Sequence, residues 1–312
     1  MSEVEVATEG VERRWLRVRH ETSYDYDAPV EVAHHLACLS PRATPEQQVR
    51  GWRLDIDPQP DGIRDAADLA ARLSEDPWGN GRLVFSHARV HERLVVGSEF
   101  EAGIAPPPEL DLAASPAWPE VAESLRYHAG SVRTEAVEFT LASNFVALDA
   151  TLAAFGRRAF TADASVAAGA LALMSLIHAE FRYETTATHV GTRAAEALAL
   201  RRGVCQDFAH VMIGACRSLG LAARYVSGYL LTQPPPGKPR LVGADASHAW
   251  VSVWCPRNGW IALDPTNDTR VGQDHVTLAW GRDYADVAPL RGVIRGGGSA
   301  EPRVAVTVEP LG

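Results

Sequence analysis

Three side chains in this sequence, Cys205, His248 and Asp264, have the types and the spacing to break an amide bond. A thiol attacks as its thiolate, the thiolate needs a neighbouring base, and the base needs a third group to orient it. Cys205 lies in Arg201-Arg202-Gly203-Val204-Cys205-Gln206-Asp207-Phe208-Ala209-His210 and opens a helical run through Gly220. A thiol in the first turn of a helix meets unpaired backbone N–H groups and the positive end of the dipole, and both favour the thiolate. His248 begins the strand-like run to Val253, and Asp264 ends the run from Gly259. If these strands are antiparallel neighbours joined by a turn near residues 256–258, the two side chains share a face, at most one register step apart. The carboxylate then fixes the imidazole tautomer and leaves the other ring nitrogen for the sulfur.

Each residue alone has a bland reading: a packed helix cysteine, a structural histidine, a turn aspartate before proline. Their order and their elements together favour catalysis. Cys38, Cys216 and Cys255 read as structural. Four scattered cysteines without a Cys-x-x-Cys pair argue against a disulfide framework and a structural zinc site. His34, His35, His189 and His275 have no spaced partners, and no calcium loop is present, so no metal or cofactor is expected. His210 falls off the face of Cys205 and is not taken as the base.

The elements that must position this site read as follows. Residues 14–27 alternate, with Leu16, Val18, His20, Thr22, Tyr24 and Tyr26 on one face, and residues 30–38 repeat the pattern after Pro29. Strands also fit residues 52–56, 88–96 and 98–102, and Asn80-Gly81 marks a tight turn before Leu83-Val84-Phe85. Residues 1–105 therefore form a β-rich, sandwich-like domain. After Pro106-Pro107-Pro108 the period becomes helical: Trp118, Val121, Leu125; Leu141, Phe145, Leu148, Leu152, Phe155; and Val166 to Phe181, all read as core. Thr192 is the expected cap of a short helix before Arg201. Beyond the Cys205 helix, strands are expected over 224–231, 248–254 and 260–264, with a proline loop at 234–236 bordering the cleft. Helices followed by antiparallel strands give an α+β core over 106–290, and 291–312 is a Gly-rich linker with a final strand.

Several of these stretches resemble one family. Gly203 to His210, Asp245-Ala246-Ser247-His248-Ala249-Trp250-Val251 and Gly259 to Asn267 are similar to the three core motifs of bacterial transglutaminase-like proteins, within the papain-like thiol enzyme superfamily. Gly281 to Pro289, His20 to Tyr26 with Pro29-Val30, and Asp76-Pro77-Trp78-Gly79-Asn80 continue the likeness over nearly the whole chain. The resemblance implies an N-terminal β-domain on a transglutaminase-like core, with Cys205, His248 and Asp264 as the triad. It also suggests that an upstream side chain joins the Cys205 N–H as second oxyanion donor, for which Tyr183 is the candidate. Gln206, Asp207, Ser247, Trp250, Asp283 and Tyr284 are candidate pocket residues.

The formal net charge of −9 argues against nucleic acid or an anionic membrane as partner. With 46% hydrophobic and 22% charged residues the chain has an ordinary globular composition, without a membrane-spanning run or an apolar leader, so a cytoplasmic location is expected. The expected partner is a peptide, protein or amide substrate. The acceptor of the acyl group stays open between water and an amine; water is preferred, since no second, dry channel is readable. A non-catalytic binding scaffold is the remaining alternative.

Overall fold

A computed structural model describes residues 12–126, 134–232 and 247–311. The front of the chain is built on β1 (Arg14–Ser40), a strand of 27 residues. Its alternation buries Leu16, Val18, His20 and Thr22 on one face, as expected. The two runs read from the sequence are one strand, because Pro29 ends nothing. It occupies the bend where the pairing register breaks between Asp25 and Val30, a place that needs no ladder N–H. There follow β2 (Gln47–Asp57), α1 (Ala66–Arg72), β3 (Leu73–Glu75), β4 (Gly81–His87) and β5 (His91–Ile104). The expected break near residue 97 does not occur; β5 runs through it against β1.

The middle of the chain is helical: α2 (Trp118–Ser124), a 3-10 turn (Glu135–Thr140), α3 (Ala150–Gly156), α4 (Val166–Glu180), α5 (Ala194–Leu200) and α6 (Cys205–Ser218). The expected helix over 141–155 is mostly absent. It starts only at Ala150, where the Asp149 side chain accepts from the Thr151 and Leu152 N–H groups and fixes the N-terminus. Upstream, Phe145 N–H is committed to Asp283, and Leu141 and Leu148 are exposed instead of core. Thr192 is not the cap of α5; Arg193 holds that position, and the Thr192 hydroxyl accepts from His189 N–H. Two short parallel strands, β6 (Arg182–Tyr183) and β7 (Arg202–Gly203), bracket the approach to α6.

The second sheet contains β8 (Ala223–Leu230), β9 (Ser247–Cys255), β10 (Gly259–Asp264), β11 (Thr269–Arg270) and β12 (His275–Gly281), in the order β11-β10-β9-β8-β12. One face packs on α6: Ala249, Val251, Val253 and Cys255 join Phe208, Met212 and Cys216 in one core. The proline loop at 234–236 lies outside the described residues. After α7 (Tyr284–Val287), β13 (Leu290–Gly296) and β14 (Arg303–Pro310) return to pair with the two halves of β1. The C-terminal segment thus completes the front sheet, because the bend in β1 leaves an unpaired edge on each half for one strand to cover. Tyr229, Leu231, Val276 and Leu278 of the second sheet share a core with the front sheet, so the two parts are packed together. Among the described residues no helix is long and apolar enough to cross a membrane.

Candidate active site

Cys205 is the first residue of α6, and its approach is fixed from three sides. Arg201 takes a left-handed conformation (φ 55°) to end α5, and is held by Glu180 at 2.9 Å and by stacking on Phe155. β7 then pairs with β6, placing Tyr183 opposite Gly203. Asp207, in the first turn of α6, reaches back to accept from Val204 N–H at 2.8 Å and from the Thr188 hydroxyl at 2.7 Å. A Cβ on Gly203 would lie 2.3 Å from that carboxylate oxygen, which explains the Gly-Val-Cys order. At the far end of α6, buried Arg217 donates to the carbonyls of Ala223, Leu141 and Arg282.

β9 and β10 form the expected hairpin, with Gly259 opposite Cys255 and Leu263 opposite Val251. Asp264 therefore lies across from Trp250, one step from His248 and on the same face. Asp264 Oδ2 is 2.7 Å from His248 Nε2. The other ring nitrogen is left for Cys205, which lies near enough to help raise the imidazole's pKa. Burial by itself pushes His248 down; its bond with Asp264 and the nearness of Cys205 outweigh that and raise its pKa to about 10. Burial likewise pushes Asp264 up, but the donors around it win and hold it well below the usual carboxylate range.

Those donors were not all read from the sequence. Asn267 Nδ2 donates to Asp264 Oδ2 at 2.7 Å, and the Thr266 and Asn267 N–H groups donate to Oδ1 at 3.0 and 3.3 Å. The signal for these was present, since Asp-Pro-Thr-Asn is an Asx-type turn folding back on its own carboxylate. His275, read as a histidine without partners, lies 3.2 Å from Asp264 Oδ2 through Nε2. Its Nδ1 accepts from Gly272 N–H at 3.4 Å, so Nε2 carries the proton toward Asp264. His275 thereby joins His248 and Asp264 in a trio whose ring-nitrogen and carboxylate atoms lie within 4.8 Å of one another, and the two contacts to Asp264 Oδ2 have hydrogen-bond lengths. β12 reaches β8 by a crossover, so no spacing along the chain announces this contact.

Trp250 is buried with its ring centroid 6.2 Å from that of His248 and 5.3 Å from that of His275. Tyr183 is half exposed, edge-on to Phe208 and close enough to Cys205 for the thiolate charge to add to the effect of burial in raising its pKa. Gln206 ties α6 to the Val190 carbonyl at 3.0 Å, and exposed Ser247 opens β9. Asp283 is buried and caps α7, with Ala285 N–H at 2.9 Å and Phe145 N–H at 2.7 Å. Tyr284 packs edge-on to Tyr225, and its N–H donates to His210 Nε2 at 3.3 Å. His210 is itself buried against Phe145 and Tyr225, away from a role as base.

Residues 154–265 match the transglutaminase-like superfamily, and residues 16–102 match the bacterial transglutaminase-like N-terminal region. The first match contains Cys205, His248 and Asp264. An uncharacterized protein of Mycobacterium tuberculosis is 39% identical over 285 residues, covering 89% of this chain and 87% of that one. A protein-glutamine gamma-glutamyltransferase of Pseudomonas aeruginosa is 37% identical over 95 residues, covering 29% of this chain and 14% of that one. Among solved structures, a proposed cysteine protease from Cytophaga hutchinsonii superposes with a TM-score of 0.73 at 19% identity, covering 96% of this chain and 91% of that one. That likeness extends through both sheets and gives the fold.

Proposed function

The chain belongs to the transglutaminase-like superfamily, and from that premise we propose that it is a thiol-dependent acyl-transfer enzyme hydrolysing a peptide or amide bond. The observation that carries this reading is the hydrogen-bonded pair Asp264 and His248 beside Cys205, with the sulfur at the start of a helix. The thiolate of Cys205 adds to the amide carbonyl carbon, and the oxygen takes the displaced electron pair. The Cys205 N–H, at the helix start, donates to that oxyanion, with the Tyr183 hydroxyl as second donor. The C–N bond then breaks, and His248 gives its proton to the leaving amine. Water, deprotonated by His248, attacks the thioester; the C–S bond breaks and the acid departs. Asp264 stays ionised throughout and holds the ring. Gln206 and Ser247 border the pocket in this reading, while Asp207, Trp250, Asp283 and Tyr284 hold the scaffold. Four free cysteines suit a reducing, cytoplasmic setting.

Transfer to a lysine amine is the second reading, favoured by the local identity to the Pseudomonas glutamyltransferase. One experiment addresses both. Wild type and Cys205→Ala are screened on fluorogenic peptide amides, with and without an alkylamine. Turnover that vanishes in the variant supports the mechanism, and amide product formed only with amine selects the transferase. Turnover retained by Cys205→Ala overturns both readings.

A further inference from the structure

On the face of the second sheet that carries His248 and Asp264 lies a cavity of about 610 Å³, closed on the other side by Thr44 to Gln47 and by the linker after Ile104. Neither Cys205 nor His248 lines it. Arg224 does, and is only 8% exposed. Its Cζ lies 4.2 Å from the ring centroid of Trp260 and 3.8 Å from that of Trp280. The two indoles hold the guanidinium in place but supply no acceptor. Among the described residues Arg224 has no ion pair, and its Nε is buried without a hydrogen-bond partner. Trp260 Nε1 and Arg270 Nε face the same condition, and both residues line the same cavity.

A buried guanidinium without a counter-ion is costly, and its planar N–H edge matches a carboxylate. Burial pulls the Arg224 pKa down, as expected of an uncompensated charge, yet leaves it cationic at neutral pH. Glu46 and Glu135 also line the cavity and act on Arg224 only from a distance. With Glu109 and Asp111 they set four carboxylates in the lining against Arg224, Arg257 and Arg270, a balance hostile to a dianion such as phosphate. Ile104, Pro107, Pro108, Leu110 and Trp250 supply an apolar part of the wall.

We propose that this cavity binds a monocarboxylate with an apolar body, its carboxylate on Arg224 and its body against the Ile104–Leu110 linker and Trp250. Trp250 and His275 belong both to the cavity wall and to the surroundings of His248, so the occupant sits directly behind the candidate triad. The same chemistry is offered by a free aryl or alkyl acid and by the C-terminus of a peptide.

The test is quenching of tryptophan fluorescence in the full chain by phenylpropionate and octanoate, each beside its neutral amide. A short peptide ending in phenylalanine, with a free or an amidated C-terminus, forms the second arm. The acids are expected to bind saturably and about tenfold or more tighter than the amides, the value of a charge-assisted hydrogen bond. Arg224→Gln should abolish that preference. Ala262→Phe, which fills the cavity and keeps the guanidinium, should abolish binding, and it serves if the Arg224 variant does not fold. Binding of the small acids alone assigns a free metabolite, and binding of the free peptide alone assigns a chain terminus. Equal binding of acid and amide, binding that survives Ala262→Phe, or none by any acid up to millimolar concentration overturns the proposal.

Discussion

Asp264 Oδ2 lies 2.7 Å from His248 Nε2, inside a carboxylate that is fully buried. The pair shifts both partners toward their charged forms, and the sign of each shift sets a pH window. His248 is raised from 6.5 to about 10, so its contribution to stability is complete below 6.5 and is lost as pH rises through about 10. Asp264 is lowered from 3.8, so its contribution is present above that value and is lost as pH falls well below it. The melting temperature of wild type should therefore exceed that of His248→Gln most between pH 3.8 and 6.5, with the gap closing toward pH 10. A gap that stays constant up to pH 10 would remove the ion pair from the account.

His275 acts on the candidate chemistry only through Asp264, which makes it a positioning residue. Its Nε2–H is one of two side-chain donors, beside Asn267, that reach the oxygen shared with His248. Loss of a hydrogen bond to a charged group costs about 1.5–3 kcal/mol. His275→Leu should slow iodoacetamide labelling of Cys205 about tenfold or more, if that energy bears on His248. His275→Gln, which keeps a donor, should restore much of the rate. Equal damage in both variants would mean that His275 only fills space beside Trp250.

The parts of this arrangement visible in the sequence are those set by local contacts. His248 and Asp264 sit in one hairpin, so the turn near residue 257 and the period of two already put them on one face. The start of α6 was equally legible, since Gly203 and Asp207 act within four residues of each other. What could not be read depends on the order of strands. β12 inserts beside β8, and only that crossover carries His275 to Asp264. β13 and β14 return to β1 across most of the chain. The stripe from Leu141 to Leu148 was misread for another reason: apolar residues at helical spacing do not decide between helix and loop when Asp149 caps the chain just downstream.

Asp207 should matter as an acceptor and not as a charge. Burial raises its pKa above 3.8 despite the bonds from Thr188 and Val204, and among the described residues its Oδ1 is buried without a partner. A carboxyl whose folded value is raised penalises folding at neutral pH, and the penalty disappears as pH falls below 3.8. Asp207→Asn keeps an oxygen for the Val204 N–H and should melt at or above the wild-type temperature at neutral pH, with the advantage fading in acid. Asp207→Ala loses the cap and should cost about 1–2 kcal/mol in chemical denaturation. Equal destabilisation by Asn and Ala would show that the negative charge itself is needed at the helix start.

Gly228 and Gly259 separate packing at the candidate site from backbone strain near it. Gly228 is paired with His248 on one side and Thr277 on the other, and a Cβ there would lie 2.1 Å from Val276 O and 2.4 Å from the Trp250 ring. Neither neighbour can yield cheaply, since one is strand backbone and the other a buried indole against His248 and His275. Gly228→Ala should cost about 1–3 kcal/mol by overpacking and also slow Cys205 labelling, because Trp250 must move. Gly259, in the β9–β10 turn, has φ +66° and nothing within 4 Å of a new Cβ. Gly259→Ala should cost about 1–2 kcal/mol through left-handed strain alone and leave labelling unchanged. If both variants lose stability but neither alters the thiol, the Trp250 packing does not position His248, and the hydrogen bonds to Asp264 carry that task unaided.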